Sequence, residues 1–524
     1  MQQGIVYLVG AGPGDPKLIT VRGLELLRRA DVVIYDHLVS ERLLDHTRPN
    51  ATRIYAGKEQ DKHAKTQAQI NRLLIRDAKA GHLVVRLKGG DPVLFGRGGE
   101  EALALSRAKV PFEIVPGVTS AIAVPAYAGI PVTHRGLSSS VAVITGHEDP
   151  SKPTSAIRWS QLATATDTLV CLMGVNTLQA ICQQLVRHGR SRQTPCAVIE
   201  WGTLPRQRTV IGTLATIAQR CHQARLSPPA IVVIGEVVTL RRGLNWFERK
   251  PLFGTRILVT RPTDRAESLA ELLSALGAEP VLLPAIELSP VKSNGAFHRA
   301  LGHMERFDWV FFTSPEGIHW FRRLLAAERK DLRALHGRHI GAIGPKTAAS
   351  IQALGIHVDF TPTTFSQEGM LDGLKARRLT GKQALILCAA RSRDVLEQGL
   401  KGLGMRVRRV PIYQTTVPRA LTQRIRAILN APLDLVTVTS ASCVDHLTQA
   451  IEACGRRRAI GQLRFASIGP VTSEAVRHQG GRVAIEARTS TIEGLVGAIV
   501  SSVRQQGGTR RALPGLSTSS ASTA

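Results

Sequence analysis

The chain has 524 residues, 43% hydrophobic and 21% charged, which excludes a disordered protein and leaves room for three or four domains at about 150 residues each. No apolar run is long enough to span a membrane and the opening MQQGIVYLVG lacks the order of a secretory leader, so a soluble, cytoplasmic protein is expected. The formal charge of +28 asks for an anionic partner; with aromatics at 4%, Lys and Arg dispersed and no zinc-finger or RNP-type signature, nucleic acid is disfavoured against a polycarboxylate small molecule.

From the N-terminus, IVYLVG, DVVIYD, LVVRLKG, VAVITG, LVCLMG and AIVVIGEVV read as short strands rich in β-branched residues. Periodic stretches such as LITVRGLELLRRA and QAQINRLLIRDAKA read as helices between them, which gives an α/β fold class. The loop VGAGPGDP sits between strand and helix, where a dinucleotide fingerprint would sit. Asp15 replaces the third glycine of that fingerprint, and an acidic helix start already supplies the anion a pyrophosphate would provide, so a nicotinamide site is disfavoured. At NWFERKPLFGTRILVT a charged stretch with Pro251 and Gly254 marks a boundary, with 248–253 as linker.

The second half repeats itself. FFTSPEGI matches TVTSASCV, AIGPKTAASIQALG matches SIGPVTSEAVRHQG, SQEGMLDGL matches TIEGLVGAI, and the segments around Gly277 and Gly404 also match, all at offsets of 125–127 residues. Four segments in register imply two similar α/β lobes with a cleft between them. The end of the chain, 505–524, is small, polar and aperiodic, and is expected to be disordered. Seven cysteines, none in C-x-x-C spacing, give neither a disulfide framework nor a zinc site, and no metal is expected.

The first half, from about Gly4 to Phe247, carries VGAGPGDPKLITVRG, ADVVIYDHLVS, the pair Gly57 and Lys58, LKGGDPVLFGRGGEE, VPGVTSAIAVPAYAGIPVTHRG, Met173 with Gly174, and IGEVV in that order. In these motifs it resembles the uroporphyrinogen-III C-methyltransferases of the tetrapyrrole methylase family. The resemblance implies a two-lobed domain over 1–247, a homodimer, and bound S-adenosylmethionine lined by Pro13, Gly89, Gly90, Asp91, Leu94, Thr119, Ser120, Met173 and Gly202. It implies Asp36 as proton acceptor and Lys58 as proton donor; by residue type alone the two read as a strand-end cap and a surface charge. Thr133, His134 and Arg135 could bind substrate carboxylate or simply shape a loop. The sequence departs from the family pattern at Asp61, at Gln69 where an acidic residue is usual, and at Trp201.

The second half, 254–504, resembles uroporphyrinogen-III synthase in VTRP, FTSPEGI, IGPKTA, Arg393 with Asp394, VPIYQT, VTSAS, IGPVTSEA and TSTIEGLVGAI. The resemblance implies one lobe of about 254–288 plus 416–504 and another of about 289–413. It implies cofactor-free closure of hydroxymethylbilane with inversion of ring D, assisted by Tyr413. Thr313, Ser314, Thr347, Thr439, Ser440 and Thr472 would then offer hydroxyls and turn amides to carboxylates, and Arg261 and Arg393 charged bonds; the hydroxyl residues also read as plain helix caps. Together the halves would make uroporphyrinogen III and methylate it twice, at C2 and C7, giving precorrin-2 for sirohaem or cobalamin.

Overall fold

The computed structural model describes residues 4–57, 65–147 and 155–510. Lys58, which the resemblance implies as a proton donor, lies outside the described residues, as does Asp61. The chain separates into two compact units: one holds residues up to 257 with 271–280 and the chain from 500, the other holds 258–270 and 281–499.

The first sheet is wholly parallel. Its strands are β1 (Ile5–Gly10), β2 (Val32–Tyr35), β3 (Thr52–Tyr55), β4 (Leu83–Lys88) and β5 (Phe112–Val115), in the order β3-β2-β4-β1-β5. Val6, Leu8, Ile34 and Val84 pack on one face with Ile70, Leu74 and Leu105, while Val9, Val33, Val85 and Leu87 pack on the other with Leu26, Leu27 and Leu43. Helices on both faces explain why these strands read as continuous apolar runs. The second sheet is mixed: β6 (Val141–Thr145), β7 (Thr168–Leu172), β8 (Pro195–Glu200), β9 (Arg208–Thr213) and β10 (Ala230–Ile234), in the order β6-β7-β10-β8-β9. Cys171, Cys182, Cys196 and Cys221 are packed in one of its apolar clusters, and all seven cysteines are free thiols. Burial foremost pushes the thiol of Cys171 up to about 12, and those of Cys182 and Cys221 up to about 11, as suits packing groups rather than nucleophiles.

The stretch 248–253 is folded onto the first unit. Glu248 accepts from Gln207 at 2.9 Å, Thr209 at 2.6 Å and Arg241 at 2.5 Å. Leu252 is fully buried, and Phe247 meets Tyr127, Trp246 and Phe253 edge to face.

Two further sheets follow. In chain order come β11 (Arg256–Val259), β12 (Glu279–Leu282), β13 (Glu287–Pro290), β14 (Trp309–Phe312), β15 (His339–Ala342), β16 (Gln383–Ala389), β17 (Arg406–Thr416), β18 (Leu435–Val438), β19 (Arg464–Ser467) and β20 (Arg482–Glu486). The sheet orders are β12-β11-β18-β19-β20 and β13-β17-β16-β14-β15. Aligned, β12-β11-β18-β19 corresponds to β17-β16-β14-β15, so the internal repeat is a pair of sheets, one of them assembled from both ends of the segment. Thr260 Oγ1 donates to the Thr437 carbonyl at 2.7 Å and Thr437 Oγ1 to that of Leu258 at 2.9 Å, stitching those ends together. β13 pairs antiparallel with the end of β17, Glu287 opposite Thr416 and Pro290 opposite Tyr413.

Residues 505–510, expected to belong to a disordered tail, continue the helix Ile492–Arg510, and 511–524 lie outside the described residues. Among the described residues, no helix is long and apolar enough to cross a membrane, and no group of three or more His, Cys, Asp or Glu could hold a metal ion.

Candidate active sites

The glycine-rich loops of the first half meet at the carboxyl ends of β1, β4 and β5. Gly12 and Gly90 exchange backbone hydrogen bonds of 3.2 and 2.7 Å. A Cβ on Gly117 would lie 2.3 Å from the Gly90 carbonyl oxygen and 2.6 Å from the Gly10 Cα, so the backbones can approach only without side chains. Asp91 directs both oxygens to backbone: Oδ1 accepts from Val93 and Leu94 at 2.9 Å, and Oδ2 from Gly117 at 3.0 Å. Thr119 caps the helix Ser120–Tyr127 by accepting from Ala121 at 3.2 Å. Gly90 has φ +68°, and the place its Cβ would take is approached within 4 Å only by the Ser120 amide at 3.7 Å. The result is an open cup facing the start of a helix, where amide groups favour a negatively charged ligand.

Asp15 explains why the first loop departs from a dinucleotide fingerprint. Its amide donates to Thr203 Oγ1 at 3.0 Å, and its carboxylate accepts from the Lys17 amide and the Tyr127 hydroxyl, both at 2.9 Å. The loop holding Pro13 is thereby tied to the loop holding Gly202, whose missing Cβ would lie 2.3 Å from Val124. Met173 follows β7 with φ +58° and is 49% exposed. The preceding Leu172 shares an apolar cluster with Val124 and Leu94. Gly89 closes the set, because a Cβ there would meet Leu38 Cβ at 2.9 Å, two residues after Asp36. These contacts link the loops that carry Pro13, Gly89, Gly90, Asp91, Leu94, Thr119, Ser120 and Gly202, with Met173 reached through that cluster. Thr133, His134 and Arg135 form an exposed turn in which the His134 carbonyl accepts from Leu137 and Ser138 at 3.0 and 2.9 Å.

Asp36 follows β2 and is the accessible end of a buried charge network. Its Oδ1 accepts from Arg86 Nη2 at 2.6 Å, with 31% of the Asp36 side chain exposed against 2% for Arg86. Arg86 Nε and Lys88 Nζ each donate to Glu101 Oε1 at 3.0 Å, and Gln67 Nε2 donates to the same oxygen at 3.2 Å. Burial foremost, then the charge of Arg86, holds the Lys88 ammonium below its usual value, with Glu101 opposing. Sequence reasoning missed Arg86, Lys88 and Glu101; the available signal was a pair of cations at alternate positions of an otherwise apolar strand, LVVRLK. Gln69, where an acidic residue is usual, completes a capping box with Thr66, each side chain bonded to the other's backbone amide.

In the second half, Tyr413 near the end of β17 is buried, and its hydroxyl lies 2.9 Å from Ser314 Oγ. Burial raises the phenol above its ordinary value, with the Ser314 hydrogen bond opposing. Ser314 also caps the helix Pro315–Ala327, accepting from Gly317 at 3.1 Å, and Thr313 donates to the Leu387 carbonyl at 3.4 Å. Ser440 is the matching cap in the other lobe, accepting from Cys443 at 3.3 Å at the start of Ala441–Ala453, and Thr439 precedes it. Thr347 and Thr472 lie buried in the first turns of Pro345–Gln352 and Pro470–His478. Arg261 donates to the Arg265 carbonyl at 3.3 Å. Arg393 is on the surface, paired with Glu368 at 2.8 Å. A cavity of about 640 Å³ is lined from both lobes, with Arg265, His319, Arg323 and Arg424 beside Glu287 and Glu316. Arg265 pairs with Glu316. Sequence reasoning missed these cleft arginines, which no motif distinguishes from the many others.

Comparison with known proteins agrees with this division. Residues 5–218 match the profile of the tetrapyrrole (corrin/porphyrin) methylases, and residues 267–497 that of uroporphyrinogen-III synthase HemD. The porphyrin biosynthesis protein HemD of Ruminiclostridium josui is 38% identical over 497 residues, 95% of this chain and 97% of its own. The uroporphyrinogen-III C-methyltransferase of Bacillus subtilis (strain 168) is 45% identical over 335 residues, 64% of this chain and 68% of its own. The S-adenosyl-L-methionine-dependent uroporphyrinogen III methyltransferase of Methanosarcina barkeri (strain Fusaro / DSM 804) is 52% identical over 237 residues, 45% of this chain and 93% of its own. The chain therefore belongs to the tetrapyrrole methylases, in a fused form that carries a uroporphyrinogen-III synthase domain behind the methylase domain.

Proposed function

We propose that the protein closes hydroxymethylbilane to uroporphyrinogen III in its second half, 254–504, and methylates that product twice in its first half, 1–247. The observation that carries the reading is the placing of Asp36: a solvent-reaching carboxylate on a buried guanidinium, next to the loop of Gly89 and Gly90. S-adenosylmethionine supplies a methyl group on a sulfonium, and the cup before Ser120, with the half-exposed Met173, suits a ligand that joins a carboxylate to an apolar ring. When a pyrrole carbon takes the methyl, the electrons of the sulfur–carbon bond stay on sulfur and the macrocycle must lose a proton. Asp36 accepts it. The protein's remaining task is alignment, for which the loops of Gly12, Gly90 and Gly117 are rigidly cross-bonded.

In the second half, the buried Tyr413 phenol stays protonated and donates to the departing hydroxyl of the bilane. The capped helix starts at Ser314 and Ser440, with the cleft guanidinium groups, hold the substrate's carboxylates. The first half dimerises; support comes from exposed apolar side chains there, Val93, Leu103, Ile114 and Ile122, and light scattering on the intact chain tests it. Supplied uroporphyrinogen III and S-adenosylmethionine test the first half directly: Asp36→Asn is expected to lower methyl transfer by about 10²–10⁴-fold. Unchanged turnover in that variant would remove Asp36 from the chemistry.

A further inference from the structure

A strand packed on both faces has little use for cations, yet β4 carries Arg86 and Lys88 two positions apart and so on one face. That face also holds Val84, in the cluster of Ile70, Leu74 and Leu105, and the two basic side chains are 2% and 5% exposed. Burial of ions is strongly unfavourable unless each is paired and hydrogen-bonded. The helix Gly98–Arg107 answers with Glu101 in its first turn, fully buried and placed where the helix dipole favours a negative charge. Glu101 Oε1 collects three donors, from Arg86, Lys88 and Gln67. Arg86 is also anchored through Nη1 to the Ile34 carbonyl at 3.3 Å, on β2, the strand just before Asp36.

The consequence lies in how the guanidinium is shared. Asp36 and Glu101 compete for one Arg86 fork, and Glu101 takes Nε while Asp36 takes Nη2. A carboxylate gripped by both arms of an arginine is bound more strongly, and is a weaker base, than one held by a single N–H. We infer that Glu101 is a positioning residue for methyl transfer: by occupying one arm of Arg86, it leaves Asp36 held by one N–H of that guanidinium and still able to accept a proton. Lys88 and Gln67 act one step further back, holding Glu101. The inference rests on the methyltransferase reading of the first half.

Glu101→Gln is nearly isosteric and replaces the carboxylate by a neutral, weaker acceptor, so that among the described residues Asp36 becomes the sole carboxylate on Arg86. In the intact chain, with uroporphyrinogen III and S-adenosylmethionine supplied, kcat is expected to fall about tenfold or more, with KM within about twofold. Glu101→Asp keeps the charge and should lie closer to wild type than Glu101→Gln. Retained S-adenosylmethionine binding and an unchanged first melting transition in the same preparations report folding of the altered unit. Should Glu101→Gln not fold, Arg86→Lys asks the same question from the other side, because an ammonium cannot bridge two carboxylates as a planar fork does; the same loss of kcat at unchanged KM is expected. Wild-type kcat in either folded variant, or a loss carried by KM alone, overturns the inference while the methyltransferase reading stands. A wild-type chain that closes the ring but never methylates overturns both.

Discussion

The Tyr413 hydroxyl and Ser314 Oγ are 2.9 Å apart, and each has a second duty: the tyrosine ring fills core, the serine caps a helix. Tyr413→Phe keeps the ring and the cap and removes the hydroxyl proposed as proton donor. Ring-closure kcat is expected to fall about 100-fold or more, while the melting temperature moves by only a few degrees. Ser314→Ala is the converse change; loss of the cap is expected to cost about 1 kcal/mol, read as a lower urea midpoint. At this scale the sequence was legible where a residue lies inside a motif. Asp36, Tyr413 and the capping serines could be named from their neighbours in the chain. Arg86 and Glu101 could not, because their pairing spans a strand and a helix 15 residues apart and depends on which face of β4 is turned towards that helix. Arg393 was legible as a charge but not as a surface charge already paired with Glu368.

Among the elements, the loops after β1, β4 and β5 carry the most constraint. Gly117→Ala would drive a Cβ against the backbone of Gly90 and Gly10, atoms that cannot rotate away. Destabilisation of about 1–3 kcal/mol is expected, with weaker S-adenosylmethionine binding by calorimetry. The connection before β7 has a different dependence. Asp167 accepts from the Ser139 amide, the Ser140 hydroxyl and the Ser140 amide, and these bonds hold its carboxyl below the ordinary 3.8. A depressed folded-state value stabilises above the unfolded-state value and is lost as pH falls through the folded one. Asp167→Asn should therefore lower stability at neutral pH and flatten its decline below about pH 4, as thermal melts across that range would show. In the first half β3, β5 and β9 escaped because each lies at a sheet edge, with side chains partly exposed and no continuous apolar run; β8, a buried apolar run from Cys196 to Ile199, was not read either. The end of the chain misled for a related reason: small polar residues past 504 carry no helical period, yet the preceding turns extend the helix to Arg510.

At the scale of the whole molecule, two activities share one chain, and the product of the second half is the substrate of the first. On the proposed reading each half has its own proton-handling residue, Asp36 just after β2 and Tyr413 in β17, so the activities should be separable. Asp36→Asn is expected to accumulate unmethylated uroporphyrinogen III, and Tyr413→Phe to methylate supplied uroporphyrinogen III at the wild-type rate. The duplicated lobes were visible in the repeat, because capping serines and glycine–proline helix starts recur wherever a strand hands over to a helix. The cleft arginines were not, since a surface rich in arginine hides those that face a cavity. The account is tested most directly by giving the intact protein hydroxymethylbilane and S-adenosylmethionine together and resolving products by isomer and mass. A dimethylated type III product is predicted; a type I skeleton alone, or a type III ring that never gains a methyl group, would contradict it.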